Sequence, residues 1–243
     1  DLISALSGSD DAERESVPPT SPTIKAPAAA PPKHPPVAEK GVAGNALLFE
    51  ALRKTGSCGG CKNPCATRLR VAQIIDETSN VRTFRLAPID GGPLPFEYLP
   101  GQFLNVIVPS AEDSGALTKR SYTIASSPTQ SNYCEITVKR ESEGEVSRHL
   151  HDAVKEGDEL KIAAPYGRFT LTGEESASIV LIGCGVGITP LMSAIRYLTD
   201  RSWPGEIVLF CGFRSPADFI FREELVYLER RHPNLKVYPT VSG

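Results

Sequence analysis

A small antiparallel barrel followed by a parallel α/β unit is the fold class this sequence predicts, and two observations predict it. Between Ala66 and Leu171 short strand-like runs succeed one another, separated by Gly, Pro, Asn or Asp, as in barrels built from short strands. From Ser178 the pattern changes to strand, helix, strand, helix, strand, the alternation of a parallel sheet with crossover helices.

Taken in order, residues 1–44 read as a linker. Ser, Asp and Glu dominate its start, and Val17–Val37 is dense in Pro and Ala, a composition that buries too little apolar surface to fold. Residues 45–66 read as a short helix and a Cys-rich turn: Leu47, Leu48, Ala51 and Leu52 have helical spacing behind Asn45, a candidate cap. Residues 67–173 form the barrel, with strands expected over Thr67–Asp76, Val81–Leu86, Gln102–Val108, Arg120–Ala125, Cys134–Arg140, Asp158–Ala163 and Gly167–Leu171. One helix interrupts them, Arg148–Val154, with Leu150 and Val154 inward. Residues 174–243 carry strands at Ile179–Ile182, Glu206–Phe213 and Lys236–Val241, and helices at Pro190–Thr199 and Phe219–Arg231. Three strands are few for a doubly wound nucleotide domain, and the first residue is Asp behind no signal-like segment. The expectation is a fragment or processed product, incomplete at its C-terminus.

The 243 residues allow one large domain or two ordinary ones. A net charge of −3 and a pI near 5.9 leave no basic footprint for nucleic acid. The longest apolar run, Ile179–Leu191, is broken by Gly183, Gly185, Gly187 and Pro190, so no membrane span is expected and the assignment is cytoplasmic. Of six cysteines, Cys134, Cys184 and Cys211 stand singly in apolar stretches and read as buried thiols. Cys58, Cys61 and Cys65 form C-x2-C-x3-C, a pattern open to iron–sulfur or zinc. A fourth ligand is missing until Cys134, and the plant-type ferredoxin spacing is not met. The preferred reading is the end of an upstream domain with free or paired thiols, and no metal site.

Three segments carry chemistry. Arg120-Ser-Tyr-Thr-Ile-Ala-Ser-Ser-Pro128 reads as a strand, so Arg120 and Tyr122 share a face, with Thr123 beside them. A flat aromatic cofactor ending in phosphate needs a ring, a guanidinium and a small hydrogen-bonding group. Gly144-Glu-Val-Ser147 opens a short helix; its N-terminal amides suit a pyrophosphate, although Ser147 also reads as an ordinary cap. Ser178–Met192 is a β-branched strand running into glycines and then an apolar helix, the form of a dinucleotide turn, with Pro190 suited to a first helical turn.

In this order and spacing they resemble the ferredoxin–NADP reductase superfamily, the branch with cytochrome b5 reductase, nitrate reductase flavin domains and oxygenase reductases. The matching residues are Tyr98-Leu-Pro-Gly-Gln-Phe103, Arg120–Thr123, Ile136-Thr-Val-Lys139, Gly144–Ser147, Pro165-Tyr-Gly-Arg-Phe169, Gly183-Cys-Gly-Val-Gly-Ile-Thr-Pro190, Arg214-Ser-Pro-Ala-Asp218 and Phe221-Arg-Glu-Glu-Leu225. The resemblance covers residues 67–243. It implies a six-stranded Greek-key FAD-binding barrel followed by a partial nicotinamide-nucleotide domain. In the family a further helix, a strand and a Cys-Gly-Pro turn near the nicotinamide follow.

By this resemblance Arg120 binds FAD phosphate within the cofactor-binding run that includes Ser121. Tyr122 stacks on the isoalloxazine, and Thr123 hydrogen-bonds its edge near the reactive nitrogen; these two are the catalytic candidates. Thr137, Val138 and Lys139 line the ribityl and adenine side, although Lys139 also reads as a solvated strand end. Gly144, Val146 and Ser147 meet the pyrophosphate. Gly183, Gly185 and Gly187 close over the nicotinamide dinucleotide, and Thr189 approaches the flavin across the cleft. Arg214 and Ser215 follow the second strand of the nucleotide unit, the position that faces the adenosine ribose. Arg214 inclines the reading to NADPH, though NADH-using relatives also carry an Arg in a similar loop, and Ser215 also reads as a helix cap.

The function implied is a flavin-dependent NAD(P)H oxidoreductase that takes a hydride from NAD(P)H onto FAD. It then passes single electrons to an iron–sulfur or haem acceptor, fused or separate. No iron–sulfur cluster is supported within the chain itself. The alternative is a non-catalytic regulatory or scaffold module that binds nucleotide on the same fold. A structural metal module would rest on the three clustered cysteines alone.

Overall fold

A computed structural model of the protein describes residues 65–110 and 115–242. The expected linker, the Asn45–Thr55 helix, Cys58 and Cys61 lie outside the described residues.

Six strands come first: β1 (Cys65–Thr78), β2 (Val81–Pro88), β3 (Phe103–Pro109), β4 (Leu117–Thr123), β5 (Cys134–Lys139) and β6 (Glu159–Tyr166). They form one sheet in the order β4-β3-β6-β1-β2-β5, and every pairing is antiparallel. The sheet curls until its edges meet. An antiparallel bridge joins Ile124, just past β4, to Ile136 of β5, and the Ala125 amide donates to the Glu135 carbonyl at 2.7 Å. Closure removes the open edges that a six-stranded sheet would expose. Inside lie Leu69, Phe84, Leu104, Ile136 and Ile162, all fully buried. Helix α1 (Glu145–Asp152) packs on β3 and β4, and it buries Val146 and Leu150 in the same core.

The second unit is a parallel sheet of β7 (Ser178–Cys184), β8 (Glu206–Phe213) and β9 (Leu235–Val241). Helices α2 (Thr189–Asp200) and α3 (Arg222–Arg231) join one face of it, where Ile179, Leu181, Leu209 and Cys211 pack with Ile195, Leu198 and Leu225. The other face shows Val180, Ile182, Phe210 and Tyr238 to solvent, with Phe210 and Tyr238 stacked at 5.2 Å. The barrel and this unit belong to one compact body; Val81 and Ala125 of the barrel sit in the second core.

Four expectations need correction. Gly167–Leu171 is not a strand: Gly167 has φ +101, and Leu171 spends its amide on Pro100 of the Tyr98–Gln102 loop rather than on a ladder. The barrel helix starts at Glu145, three residues early, because Gly144 caps it and the Arg148 amide already closes on the Gly144 carbonyl. Leu150 and Val154 are buried as expected. The Phe219–Arg231 helix is shorter: a single turn spans Pro216–Asp218, then Phe221 takes φ +57, a left-handed conformation that a helix cannot pass through. Cys184 is exposed rather than buried, because strand alternation places it on the uncovered face of β7. Strand β1 also reaches back to Cys65, which pairs with Ala164, so the third clustered cysteine stands in the sheet.

Candidate functional site

Register on β3 decides what β4 presents. Arg120 pairs with Val106 and Tyr122 with Leu104, both core residues, while Ser121 and Thr123 pair with Asn105 and Phe103. Directly paired residues share a face, so Arg120 and Tyr122 lie on the face that Val106 and Leu104 turn to the core. Arg120 is exposed there and makes no ion pair with any described residue. Tyr122 leans on the barrel core. Its hydroxyl is buried with no hydrogen-bond partner among the described residues, and burial pushes the phenol up to about 12, only partly opposed by Arg120. Thr123 is half-buried. Ser121 is committed elsewhere, donating to Asn105 Oδ1 at 2.8 Å.

Helix α1, which opens at Gly144–Ser147, packs against this strand. Gly144 is required: a Cβ there would collide with Ser147 Oγ. The Ser147 hydroxyl is internal, donating to the Gly144 carbonyl at 3.0 Å and accepting the Glu141 amide at 3.2 Å. Val146 is buried. What the turn can offer a ligand is therefore its backbone amides and the positive end of the helix.

The side chains of the Thr137–Lys139 run are engaged within the protein. Thr137 shares a 2.7 Å hydrogen bond with Thr83, Val138 is fully buried in the core, and Lys139 pairs with Glu141 at 2.9 Å.

Across the cleft, β7 ends in a 3-10 turn, Gly185–Ile188, and α2. A Cβ on Gly183 would stand 2.8 Å from Leu191 Cδ1, so this glycine serves close packing of strand on helix. At Gly185 (φ +51) and Gly187 a Cβ would meet nothing within 4 Å, and here backbone faces open space. Thr189 is buried, with its hydroxyl donating to the Val186 carbonyl at 3.0 Å. Arg214 is exposed and without an ion pair among the described residues. Ser215 is a cap: its hydroxyl donates to Asp218 Oδ2 at 2.7 Å, and its amide donates to the same oxygen at 3.1 Å.

A polar network that the sequence reading did not single out joins the two sides. Glu135 of β5, 1% exposed, accepts from Arg85 Nε at 2.9 Å and from Arg196 Nη1 at 3.2 Å. Arg196 of α2, 6% exposed, grips Glu224 of α3 through two bonds of 2.7 and 2.6 Å, and donates to the Ala125 carbonyl at 2.8 Å. Burial works against the Arg196 charge, but the Glu224 carboxylate more than compensates and holds its pKa above the ordinary arginine value. Ser193 Oγ donates to the Ser126 carbonyl at 2.9 Å, and Thr129 Oγ1 to Asp200 Oδ2 at 2.6 Å. The signal was in the sequence: Arg196 is a lone cation amid Leu191-Met-Ser-Ala-Ile and Tyr-Leu-Thr199, and a buried charge needs a partner.

An FAD-type ligand fits this arrangement. Arg120 makes no ion pair with any described residue, the buried Tyr122 hydroxyl lacks a partner, and α1 offers its N-terminal amides. Gly185 and Gly187 leave room for a second nucleotide. Among the described residues no cluster of metal-ligating side chains occurs, and no helix is long and apolar enough to cross a membrane.

Comparison with known proteins accords with this geometry. The family model of the oxidoreductase FAD-binding domain matches residues 68–171, and that of the oxidoreductase NAD-binding domain matches 181–243. The chain is 36% identical over 170 residues to the glycine betaine monooxygenase reductase subunit of Pseudomonas aeruginosa, covering 70% of this chain and 45% of that protein. It is 35% identical over 194 residues to the flavohemoprotein of Bordetella pertussis, covering 79% of this chain and 46% of that one. It thus spans about half the length of the curated relatives it matches. Among solved structures, the FAD/NAD-binding domain of nitric oxide dioxygenase from Vibrio cholerae superposes with a TM-score of 0.65 at 28% identity, covering 72% of this chain and 75% of that one. Phthalate dioxygenase reductase superposes with a TM-score of 0.63 at 28% identity, over 73% and 53% of the two chains.

Proposed function

We propose, on the premise that this chain belongs to the ferredoxin–NADP reductase superfamily, that it is the flavin and nicotinamide part of an electron-transfer reductase. When bound, FAD supplies the conversion of a two-electron hydride from NAD(P)H into single electrons. The chain's own residues supply placement. Arg120 holds a phosphate by charge-assisted hydrogen bonds, and the amides of Gly144–Ser147 hold the pyrophosphate. Tyr122 gives a ring face and a hydroxyl, and Thr123 a hydroxyl, to the polar parts of the cofactor. Gly185 and Gly187 let the nicotinamide dinucleotide approach the backbone, and Thr189 closes the turn from behind. Thr137 and Val138 contribute through backbone alone, because their side chains are buried.

The observation that carries this reading is the Tyr122 hydroxyl, buried without a partner beside a guanidinium that makes no ion pair among the described residues. Arg214 reaches solvent at the end of β8 and favours the 2′-phosphate of NADPH. Replacing it with Ala should lower kcat/KM for NADPH and leave that for NADH unchanged. The acceptor is a one-electron centre, haem or iron–sulfur, as in the relatives named flavohemoprotein and phthalate dioxygenase reductase. Purified protein should be yellow, release FAD on heating, and bleach anaerobically with NADPH or NADH. Recovery of FMN alone, or a colourless protein that binds nucleotide without turnover, would overturn the reading.

A further inference from the structure

Each half of the site is tied by its own hydrogen bonds. What sets the distance between the halves is the contact of α2 with the barrel, and at its centre stands Arg196, which touches no ligand position. Its guanidinium meets Ala125 and Glu135 on the barrel, and Glu224 on α3. The Phe221 ring lies beneath it, centred 5.0 Å away. Phe221 is the left-handed residue at the head of α3, and its amide donates to Glu77 of β1 at 3.2 Å. The charges facing Arg196 are therefore Glu135, Glu224 and Glu77, with Arg85 on the far side of Glu135.

Rigid chain leads from this point to both halves. Along α2, Arg196 lies seven residues after Thr189, about 10 Å of helix at the ordinary rise per residue. Along the barrel, Ala125 lies two residues after Thr123, about 7 Å of extended chain. Ser193, one turn nearer the glycine turn, holds Ser126 in the same way. The guanidinium's seat thus lies between the chain that leads to Thr189 and the chain that leads to Thr123.

We propose that Arg196 is a positioning residue for hydride transfer: by binding the Ala125 carbonyl, Glu135 and Glu224 together, it fixes how closely the Gly183–Thr189 turn approaches Tyr122 and Thr123. This rests on the function proposed above. A planar fork with several donors in fixed directions is what three acceptors on three elements require. An ammonium keeps the charge and loses that geometry.

The test uses the full-length, FAD-loaded protein carrying Arg196→Lys, with Ser193→Ala as a second variant that leaves every buried charge paired. Anaerobic stopped-flow flavin reduction gives the limiting rate and the nicotinamide Kd separately. Hydrogen exchange, followed on cofactor-free protein too, reports the amides of residues 120–127 and 183–196. Arg196→Lys should keep its flavin content and bind nicotinamide within about threefold of wild type. Its limiting reduction rate should fall about 10- to 100-fold, as a misplacement near 1 Å would cause. Exchange should quicken in both peptides, and Ser193→Ala should show a smaller loss in the same direction. Unchanged limiting rates and unchanged exchange in both variants would overturn the proposal, as would a rate loss explained by missing flavin alone. Wild-type flavin that neither NADH nor NADPH reduces would instead overturn the proposed function, and the exchange arm would still decide whether Arg196 holds the two halves in register.

Discussion

Tyr122 carries a buried hydroxyl that no described residue satisfies, and a buried polar group without a partner costs about 1–3 kcal/mol. The cost reverses if a cofactor supplies the partner. Tyr122→Phe should therefore raise the melting temperature of cofactor-free protein and lower that of FAD-loaded protein, a change of sign that calorimetry on both forms reads directly. Arg120 behaves differently, because its guanidinium is exposed and gives the empty fold little. Arg120→Ala should leave cofactor-free stability within about 0.5 kcal/mol and weaken FAD binding by about 1.5–3 kcal/mol, measured as the flavin dissociation constant. Gly187 is a third case: a Cβ there meets nothing within 4 Å, so Gly187→Val should fold normally. On the proposed function its side chain would crowd the nicotinamide nucleotide, and the dissociation constant for the nucleotide should rise while FAD content stays constant.

Among the elements, α1 depends on pH through His151. In the tautomer with its proton on Nε2, this ring donates to the Val138 carbonyl at 2.9 Å, and Arg82 holds the His151 carbonyl at 2.8 Å. Burial lowers the His151 pKa below 6.5, with a smaller push from Arg82 and Arg140 and opposition from the Val138 carbonyl and Asp152. A histidine depressed in the folded state binds its proton more readily when unfolded, so stability falls as pH drops through 6.5 toward the folded value. The ring is half exposed, so solvent screening keeps the loss small. Thermal melts between pH 7.5 and 5.5 should show it, and His151→Gln should flatten that part of the curve. The legibility of this helix is instructive. Its inward Leu150 was evident from spacing, as was Val154, which is buried just past the helix end, but its start was not, because Gly144 as a cap carries no side-chain signal. The Phe219–Arg231 run misled for a related reason: Phe221 at φ +57 is held there by Glu77, 144 positions earlier in the chain, and no local pattern contains that contact. The glycine turn and the Arg120–Thr123 strand were legible as elements because their pattern is local. The contacts of the Thr137 and Lys139 side chains were not, because their partners Thr83 and Glu141 are chosen by strand register and loop shape.

At the scale of the whole molecule, Glu135, Arg196 and Glu224 make the barrel and the nucleotide unit one thermodynamic object. Removing one member of a buried pair leaves the other charge unpaired, at about 3–5 kcal/mol. Glu224→Ala leaves Arg196 with Glu135 and the Ala125 carbonyl, so it should lower stability by less than that, about 1–3 kcal/mol, in denaturant melts, with little dependence on salt, because buried pairs are poorly screened. Unfolding of wild type should be a single transition seen alike by flavin fluorescence in the barrel and by Trp203 in the nucleotide unit. The same ties bear on inheritance. An exchange that joined the barrel of one such protein to the nucleotide unit of another would set Glu135 against whatever residue the new helix carries at the Arg196 position, and without a cation there Glu135 would keep Arg85 but lose its bond across to the nucleotide unit. Shuffling at the boundary near residue 174 is thus penalised, whereas shuffling that moves residues 65–242 as one block is not. Wherever such a barrel is found joined to further modules, it and its nucleotide unit are expected to have travelled there together.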